Sequence, residues 1–344
     1  MRATDEPEGV LAVMATMTDV ARVAGVSAAT VSHVVNGTRA VREETRRAVE
    51  DAIASTGYSP NTLARSLATG GTSSIAVVMS AISNPYFGQV LQGVEAEVVR
   101  QGYTLLLADP HDDPEHELTV VRTMRERRVD GIVLAASADP RPALDHLDAQ
   151  NVPVVLADRL LDERYDQVGP ENTEPTAQLV DHLAGLGHRR IGMIAGLAGL
   201  STTEERLIGY REGLARNGFE YDSALVDSGR SDSAGAADAV ARLLAVPDRP
   251  TAFIAANNSM TIGAMSAFGD AGLEVPSDVA LVGFDDFPWA DHFAPRLTVV
   301  AQPCADIGAK AAQLLLRRLA DPSVEPETHR LPSRLVHRNS CGCR

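Results

Sequence analysis

From Ser74 onwards, apolar runs of four to six residues alternate with amphipathic stretches of 12–16 residues, and this alternation limits the possible folds more than any other feature. The runs Ile75–Met79, Thr104–Leu107, Gly131–Leu134, Val152–Leu156, Ile191–Ile194, Ala252–Ala255 and Val279–Val282 have the unbroken hydrophobicity of strands buried on both faces. Between them, Phe87–Arg100, Glu115–Arg127, Thr176–Leu186, Glu204–Asn217, Ala236–Leu244 and Thr261–Ala271 carry helical spacing. Buried strands joined by helical crossovers make a parallel sheet covered on both sides. The pattern is long for one sheet, so two similar α/β halves facing a cleft fit better. No GxGxxG follows the first run, which counts against a dinucleotide-binding enzyme.

Ahead of this body the chain reads differently. Residues 1–15 are acidic and without periodicity, and are expected to be disordered. Residues 16–58 contain short helical patterns with no strand signal, and 59–72 read as a linker holding one marginal helix, leaving 73–340 as the body. The net charge of −15 argues against nucleic acid, but its distribution does not. Met17–Thr69 holds six arginines against five acidic residues. So small an excess gives weak duplex affinity, because affinity comes largely from neutralised phosphates, and two copies on a dimer would be needed.

Three cysteines in 344 residues cannot form a disulfide framework, which points to the reducing cytosol. No window approaches the roughly 18 apolar residues of a membrane helix. The apolar patch Val10–Met17 follows Asp5, Glu6 and Glu8 rather than the basic start of a secretory signal.

Within Thr16–Gly37 (TMTDVARVAGVSAATVSHVVNG), Val20, Ala21, Val23 and Ala24 form one short helix that Gly25 stops, and Ser27 caps a second from Ala28 to Asn36. Two short helices around a glycine turn make a helix-turn-helix pattern. At about 100° per residue from Ala28, Val31, Val34 and Val35 fall near 300°, 240° and 340°, a stripe that should pack inward. Ala29, Ser32, His33 and Asn36 fall near 100°, 40°, 140° and 80° on the opposite side, small and without acid, as a major groove accepts. The alternative for the same pattern is a surface helix in a small bundle. Arg42–Thr56 follows with Glu43 and Glu44 in its first turn. Pro60 opens the marginal helix Asn61–Ala68, too short to hold alone in water.

Thr16–Gly37, Tyr58–Leu67 (YSPNTLARSL), Ser83–Phe87 (SNPYF), Asp158-Arg159 and Val282–Asp286 (VGFDD), set on an alternating α/β body, resemble the LacI/GalR family of bacterial transcription regulators over about residues 14–340. The headpiece is most similar to the family's purine-repressor members. The resemblance implies a small all-α helix-turn-helix headpiece and an α/β periplasmic-binding-protein-like body of two parallel-sheet subdomains. It implies a homodimer on double-stranded, pseudo-palindromic operator DNA, controlled by a small-molecule effector. By resemblance, Ala28, Ala29 and His33 occupy base-reading positions, with Thr30, Ser32 and Asn36 at phosphates or nearby edges. Thr18, Ser27, Arg39, Asn61 and Arg65 complete the DNA-facing set. Since two reading positions are alanine, hydrogen-bond readout falls to His33, and the alanines offer methyl contacts to thymine. Leu67 matches the hinge leucine that wedges into a central minor-groove step.

The chain departs from the family in places. Arg42 stands where Ser or Thr is usual, so the third helix lacks its N-cap, worth about 1 kcal/mol. The family begins almost at its helix-turn-helix, and Met14-Ala15-Thr16 resembles such a beginning, so Met1–Val13 reads as an over-extended start. Asn257-Asn258 replaces the common Asn-Asp.

The resemblance places the ligand between the subdomains, at Asn84, Tyr86, Phe87, Asp158, Arg206, Asn257 and Asp285, in loops at strand ends where open α/β sheets bind ligands. Acceptors in pairs, an arginine fork and aromatic faces suit a polyhydroxylated ring, so a sugar or related polyol is expected before a nucleobase stacked on Tyr86 and Phe87. Leu200 and Ser231 match positions that are Arg and Phe in purine-binding relatives, which also weighs against the nucleobase. Each of these residues also has a plain structural reading: Asp158 can cap a turn, and Arg206 can pair with Glu205. Trp289, four residues past Asp285, is expected to report closure.

His111–Glu117 (HDDPEHE) has metal-like composition but reads as a loop and acidic first helix turn, with Pro114 at the first helical position. Cys341-Gly342-Cys343 is a thiol pair with no evident second pair, so no metal site and no cofactor are expected. There is no GxSxG elbow or phosphate loop, and Asp285-Asp286 are adjacent residues that should not face one cleft, so an enzyme is not expected. The competing reading is a cytosolic small-molecule binding module with a vestigial headpiece. From the hinge assignment, Leu67→Ser is expected to weaken specific operator binding and leave effector binding intact; equal operator affinity of the two proteins would refute the wedge.

Overall fold

The computed structural model describes residues 15–37, 39–59, 71–80, 82 and 84–343. The chain separates into two units, residues 1–72 and 73–344. The expectations for the acidic extension, for Ser83, and for the hinge helix with Asn61, Arg65 and Leu67 lie outside the described residues.

In the first unit, α1 (Met17–Ala24) starts at Thr16 in a capping box: the Thr16 side chain accepts from the Asp19 amide while Asp19 accepts from the Thr16 amide at 3.0 Å. Gly25 then ends it in the left-handed conformation, at φ 66°. Ser27 caps α2 (Ala28–Asn36) by accepting from the Thr30 amide at 3.1 Å. The third helix, α3 (Glu43–Thr56), has no side-chain cap at Arg42. Val31 is fully buried with Val20, Ala21, Val49 and Ala52, and Val34 and Val35 pack against that cluster. The valine stripe of α2 therefore holds the three helices together.

The second unit contains two six-stranded sheets. In chain order its elements are β1 (Ser74–Val78), α4 (Pro85–Arg100), β2 (Thr104–Ala108), α5 (Pro114–Glu126), β3 (Gly131–Leu134), α6 (Arg141–Ala149), β4 (Val154–Ala157), β5 (Asp166–Pro170), α7 (Thr173–Gly185) and β6 (Ile191–Ala195). There follow α8 (Ser201–Arg216), β7 (Val226–Ser228), α9 (Ser233–Leu244), β8 (Ala252–Ala255), α10 (Asn258–Asp270), β9 (Ala280–Phe284), β10 (Thr298–Ala301), α11 (Cys304–Ala320), β11 (Thr328–Leu331) and β12 (Arg334–Val336).

The sheet orders are β11-β5-β4-β3-β1-β2 and β12-β10-β9-β8-β6-β7. Every pairing is parallel except β12, which runs antiparallel to β10 at one edge, so the second sheet is not purely parallel as expected. The chain passes between sheets after β5, after β10 and after β11, so three segments join the subdomains. No described helix is long and apolar enough to cross a membrane.

Helix α11 returns from the second sheet to pack on α4 beneath the first, and two glycines permit the approach. A Cβ on Gly93 would strike the Ala305 carbonyl, and one on Gly308 would strike the Val90 carbonyl and lie 2.9 Å from the Val94 amide nitrogen. Backbone cannot yield as a flexible side-chain tip can. Gly308→Ala should therefore lower stability by about 1–3 kcal/mol in urea unfolding, as overpacking does. Gly185→Ala, whose Cβ would meet nothing within 4 Å, serves as the control that does not fall. Equal midpoints for the two variants would overturn the close-approach argument.

Candidate functional site

The loops at the carboxyl ends of both sheets converge on one cavity. Asn84, Tyr86, Phe87, Asp112, Asp158 and Arg159 line it from the first subdomain, and Leu200, Thr202, Thr203, Arg206, Ser231, Asn257 and Asp285 from the second, with Gln302 on the second crossing segment. All seven residues expected at the ligand cleft line this cavity.

Asp158 and Asp285 occupy matching places. Each directly follows the third strand from the edge of its sheet, β4 and β9, and each has left-handed backbone, φ 70° and 72°. That conformation is uncommon for a residue with a side chain and is best tolerated by Asp and Asn. Both are buried. Asp158 accepts a 2.5 Å hydrogen bond from the Tyr86 hydroxyl, and Asp285 accepts from the Gln302 amide. Burial pushes both carboxyls above the usual range. For Asp158 the charges of Arg159 and Arg206 and the Tyr86 bond oppose this, and for Asp285 the Arg206 charge and the Gln302 bond do so. Burial likewise pushes the Tyr86 hydroxyl well up, with the Asp158 charge acting in the same direction, which keeps it a donor.

Arg206, on α8, is not paired with Glu205. Its Nε donates to Asn172 Oδ1 at 3.0 Å, its Nη1 to the Ala256 carbonyl, and its guanidinium lies 3.9 Å from the centre of the Phe284 ring. Glu205 instead accepts from Arg330 at 2.8 Å and from Asn172 at 2.7 Å. Asn84 caps α4 through the Tyr86 amide at 2.9 Å and also accepts from Asn258 Nδ2 at 2.8 Å, a bond between subdomains. Asn257 caps α10 through the Met260 amide at 2.7 Å and donates to the Ser231 carbonyl at 3.0 Å. Among the described residues, Arg159 Nε, Asn258 Oδ1 and Gln302 Oε1 are buried without a hydrogen-bond partner, and the first and last belong to residues that line the cavity. Buried polar atoms are seldom left so without a role.

Some expectations need correction. Phe87 lines the cavity and, with Tyr86, also belongs to the core under the first sheet, the two rings meeting edge to face at 5.0 Å. Trp289 is 45% exposed, meets Phe287 edge to face and is not among the residues lining the cavity. His111–Glu117 does hold a helix start, with Asp113 accepting from the His116 amide at 2.7 Å. However, its Asp112 reaches the cavity to pair with Arg159 at 2.5 Å. Asp286 turns to Arg338 at 3.0 Å and does not share the cavity. Asp112, Arg159, Asn172, Asn258 and Gln302 were not among the expected ligand residues. Arg159 and Asn258 do stand in the Asp158-Arg159 and Asn257-Asn258 pairs singled out in the sequence, whereas Asp112, Asn172 and Gln302 have only a position just beyond a strand or before a helix as signal.

On the first unit, Thr18, Ser27, Ala28, Ala29 and Arg39 are exposed, and Thr30, Ser32, His33 and Asn36 are half-buried. Asn36 Nδ2 donates to Ser32 Oγ at 3.1 Å along the helix. The small outer residues of α2 thus lie opposite its buried valine stripe.

The family model for bacterial regulatory proteins of the lacI family matches residues 16–61, and that for a periplasmic binding protein-like domain matches residues 180–341. The HTH-type transcriptional repressor PurR of Mannheimia succiniciproducens is 35% identical over 329 residues, covering 95% of this chain and 98% of that protein.

The chain belongs to the LacI family.

Among solved structures, the lac repressor dimer bound to operator and the anti-inducer ONPF aligns with TM-score 0.84 and 28% identity over 96% of this chain and 99% of that one. The transcriptional regulator CelR in complex with cellobiose aligns with TM-score 0.72 and 33% identity over 95% and 99%. As a LacI-family protein, the chain is a ligand-responsive transcriptional repressor and not an enzyme.

The raised Asp158 and Asp285 carboxyls have a consequence for stability. A carboxyl held above its unfolded value favours the fold most fully below the ordinary pKa of about 3.9, and that contribution is lost as pH rises through the raised value. The ligand-free Asp158→Asn/Asp285→Asn variant should therefore gain stability relative to the parent as pH rises from about 4 towards 7, in urea unfolding at each pH. A difference that stays constant or shrinks would overturn this account.

Proposed function

We propose that this LacI-family repressor binds a pseudo-palindromic operator as a homodimer in the cytoplasm, and that a small polyhydroxylated molecule, a sugar or related polyol, controls its affinity from the cavity between the subdomains. The observation that carries the ligand reading is the polar wiring of the cavity. Carboxylates from both subdomains, two buried guanidiniums, asparagine and threonine side chains and unsatisfied buried atoms surround one space. Hydroxyl groups satisfy such a mixture because each both donates and accepts. The cellobiose complex of CelR, and a LacI-family regulator from Enterococcus faecium with bound ribose at 25% identity and TM-score 0.69, support the same class. Leu200 and Ser231 in the lining supply no donor fork or aromatic plate for a flat base.

A nucleobase is the second reading, and the similarity to repressors named PurR favours it. Tyr86 and Phe87 supply aromatic edges for such a ring.

In this scheme Ser27, Ala28, Ala29, Thr30, Ser32, His33 and Asn36 of α2, with Thr18 and Arg39, face the operator, and His33 supplies the side-chain hydrogen bond to a base edge. Asn61, Arg65 and Leu67 of the linker complete the DNA-facing set. Closure around the ligand changes the spacing of the two linkers, so ligand and DNA must alter each other's affinity by one common factor.

The test is selection of random duplexes by the purified chain at about 150 mM salt, where non-specific phosphate binding is weak, with and without pools of sugars and of purine bases. A two-fold symmetric site is expected, with affinity shifted by a sugar. His33→Ala should lose roughly tenfold or more for that site, the scale of one good base contact, while binding the sugar unchanged. A shift by purine bases alone would replace the sugar with the nucleobase. Absence of any enriched site in every pool would overturn operator binding.

A further inference from the structure

The second subdomain carries a cluster of two thiols and two imidazoles that the ligand cleft does not use. His182 lies in the last turn of α7, His337 directly follows β12, and Cys341 and Cys343 lie on the segment beyond it. The sequence shows the two cysteines as a pair without a partner pair. The fold supplies that second pair from a helix some 160 residues away, and from the residue beyond the edge strand.

The geometry is close. The two Sγ atoms are 3.2 Å apart, and His182 Nε2 lies 3.2 Å from Cys341 Sγ and 3.4 Å from Cys343 Sγ. The His182 and His337 rings are 4.7 Å apart at 63°, and ligand atoms of His182, His337 and Cys343 all lie within 4.8 Å of one another. A tetrahedral ion at about 2.0–2.3 Å from nitrogen and sulfur ligands sets those atoms roughly 3.3–3.8 Å apart; Cys341 Sγ is already near that span from His182 and Cys343, and the exposed His337 ring must turn further inward to come within it of Cys341.

The scaffold under the cluster is firm. Ser340 donates to the Leu281 carbonyl at 2.6 Å and accepts from the Thr298 amide at 2.8 Å, fixing the chain just before the first cysteine. Cys341 is buried in the core of the subdomain, with Thr298 Oγ1 3.2 Å from its sulfur. Gly342, at φ 86°, allows the turn that brings the second thiol back beside the first. A buried thiol needs no imidazole, and a disulfide needs none either. Two imidazoles converging on two thiols is the donor set of a closed zinc site.

We propose that His182, His337, Cys341 and Cys343 bind one zinc ion, which ties the end of α7 to the chain beyond β12. Binding displaces the thiol protons to solvent, and the sulfurs then ligate as thiolates. Because the ion binds the folded arrangement, it should raise the unfolding midpoint of the second unit.

The test uses the full chain, purified under reductant, stripped with a chelator and titrated with cobalt(II). One equivalent per chain is expected, with intense visible d–d bands and a near-ultraviolet thiolate-to-metal charge-transfer band, both bleached by added zinc. His337→Ala, at an exposed position, and Cys343→Ser should each weaken zinc at least about tenfold with circular dichroism unchanged. Zinc should also protect both thiols from alkylation. A weak octahedral cobalt spectrum, or identical spectra in parent and variants, would overturn the proposal. So would loss of both thiols in air at an unchanged rate with zinc present, which would make the pair a disulfide instead.

Discussion

The cleft depends on one buried positive charge. Arg206 is held entirely by neutral groups: the Asn172 side chain, the Ala256 carbonyl and the face of Phe284. Its charge is balanced at longer range by Asp158 from one subdomain and Asp285 from the other. A buried ion left uncompensated costs several kcal/mol, so the guanidinium favours arrangements that keep both carboxylates near. Asn172 and Gln302, which fix Arg206 and Asp285, both lie on segments where the chain crosses between subdomains. The third crossing is tied to the first, since Ser333 donates to the Glu171 carbonyl at 3.0 Å and the Glu171 amide donates to Leu331. The cavity lining and the crossing segments therefore share the same few residues. A molecule that draws on Arg206 or the carboxylates acts directly on the groups that set the hinge.

How much of this was legible depends on where each element draws its stability. The seven expected strands were readable because each is an apolar run buried on both faces; two have the expected ends, and the ends of the others shift by at most two residues. β5, Asp166–Pro170, has no such run, yet it is fully buried. Its Asp166 is held by Arg317 at 2.8 Å and Arg318 at 2.6 Å, both from α11, a pairing no local window contains. β7 and β12 are three residues long, and β11 alternates between exposed and half-buried positions at an edge, so neither length nor hydrophobicity betrays them. Helix α11 is a different case. Ile307, Ala311, Leu314 and Leu315 have the spacing of a buried helical face, so its own sequence carries the helical signal.

The cleft divides along the same line. Asn84, Asp158, Arg206, Asn257 and Asp285 could be named because they sit in short motifs at strand ends or helix starts. Asp112 sits in a segment whose composition suggests only a loop and a helix cap, and its ion pair with Arg159 spans 47 residues. The zinc ligands show the limit most plainly. Two cysteines one residue apart are visible in any reading, but His182 is an ordinary helix residue until the fold sets it against them. Local sequence displays what one segment does alone, and sites assembled across segments stay hidden until the topology is known.

The charge distribution closes the argument about DNA. The headpiece has one more arginine than acidic residues over Met17–Thr69, on a chain of net −15. Affinity from so few positive charges is weak for one copy, and a reading face with two alanines and one histidine adds little hydrogen bonding. In the proposed dimer, two copies held at a fixed spacing discriminate better than one, because the second binds at high effective concentration. The weaker the headpiece, the more completely the spacing governs occupancy. In the proposed dimer, a near-neutral headpiece makes operator occupancy sensitive to a small change in that spacing.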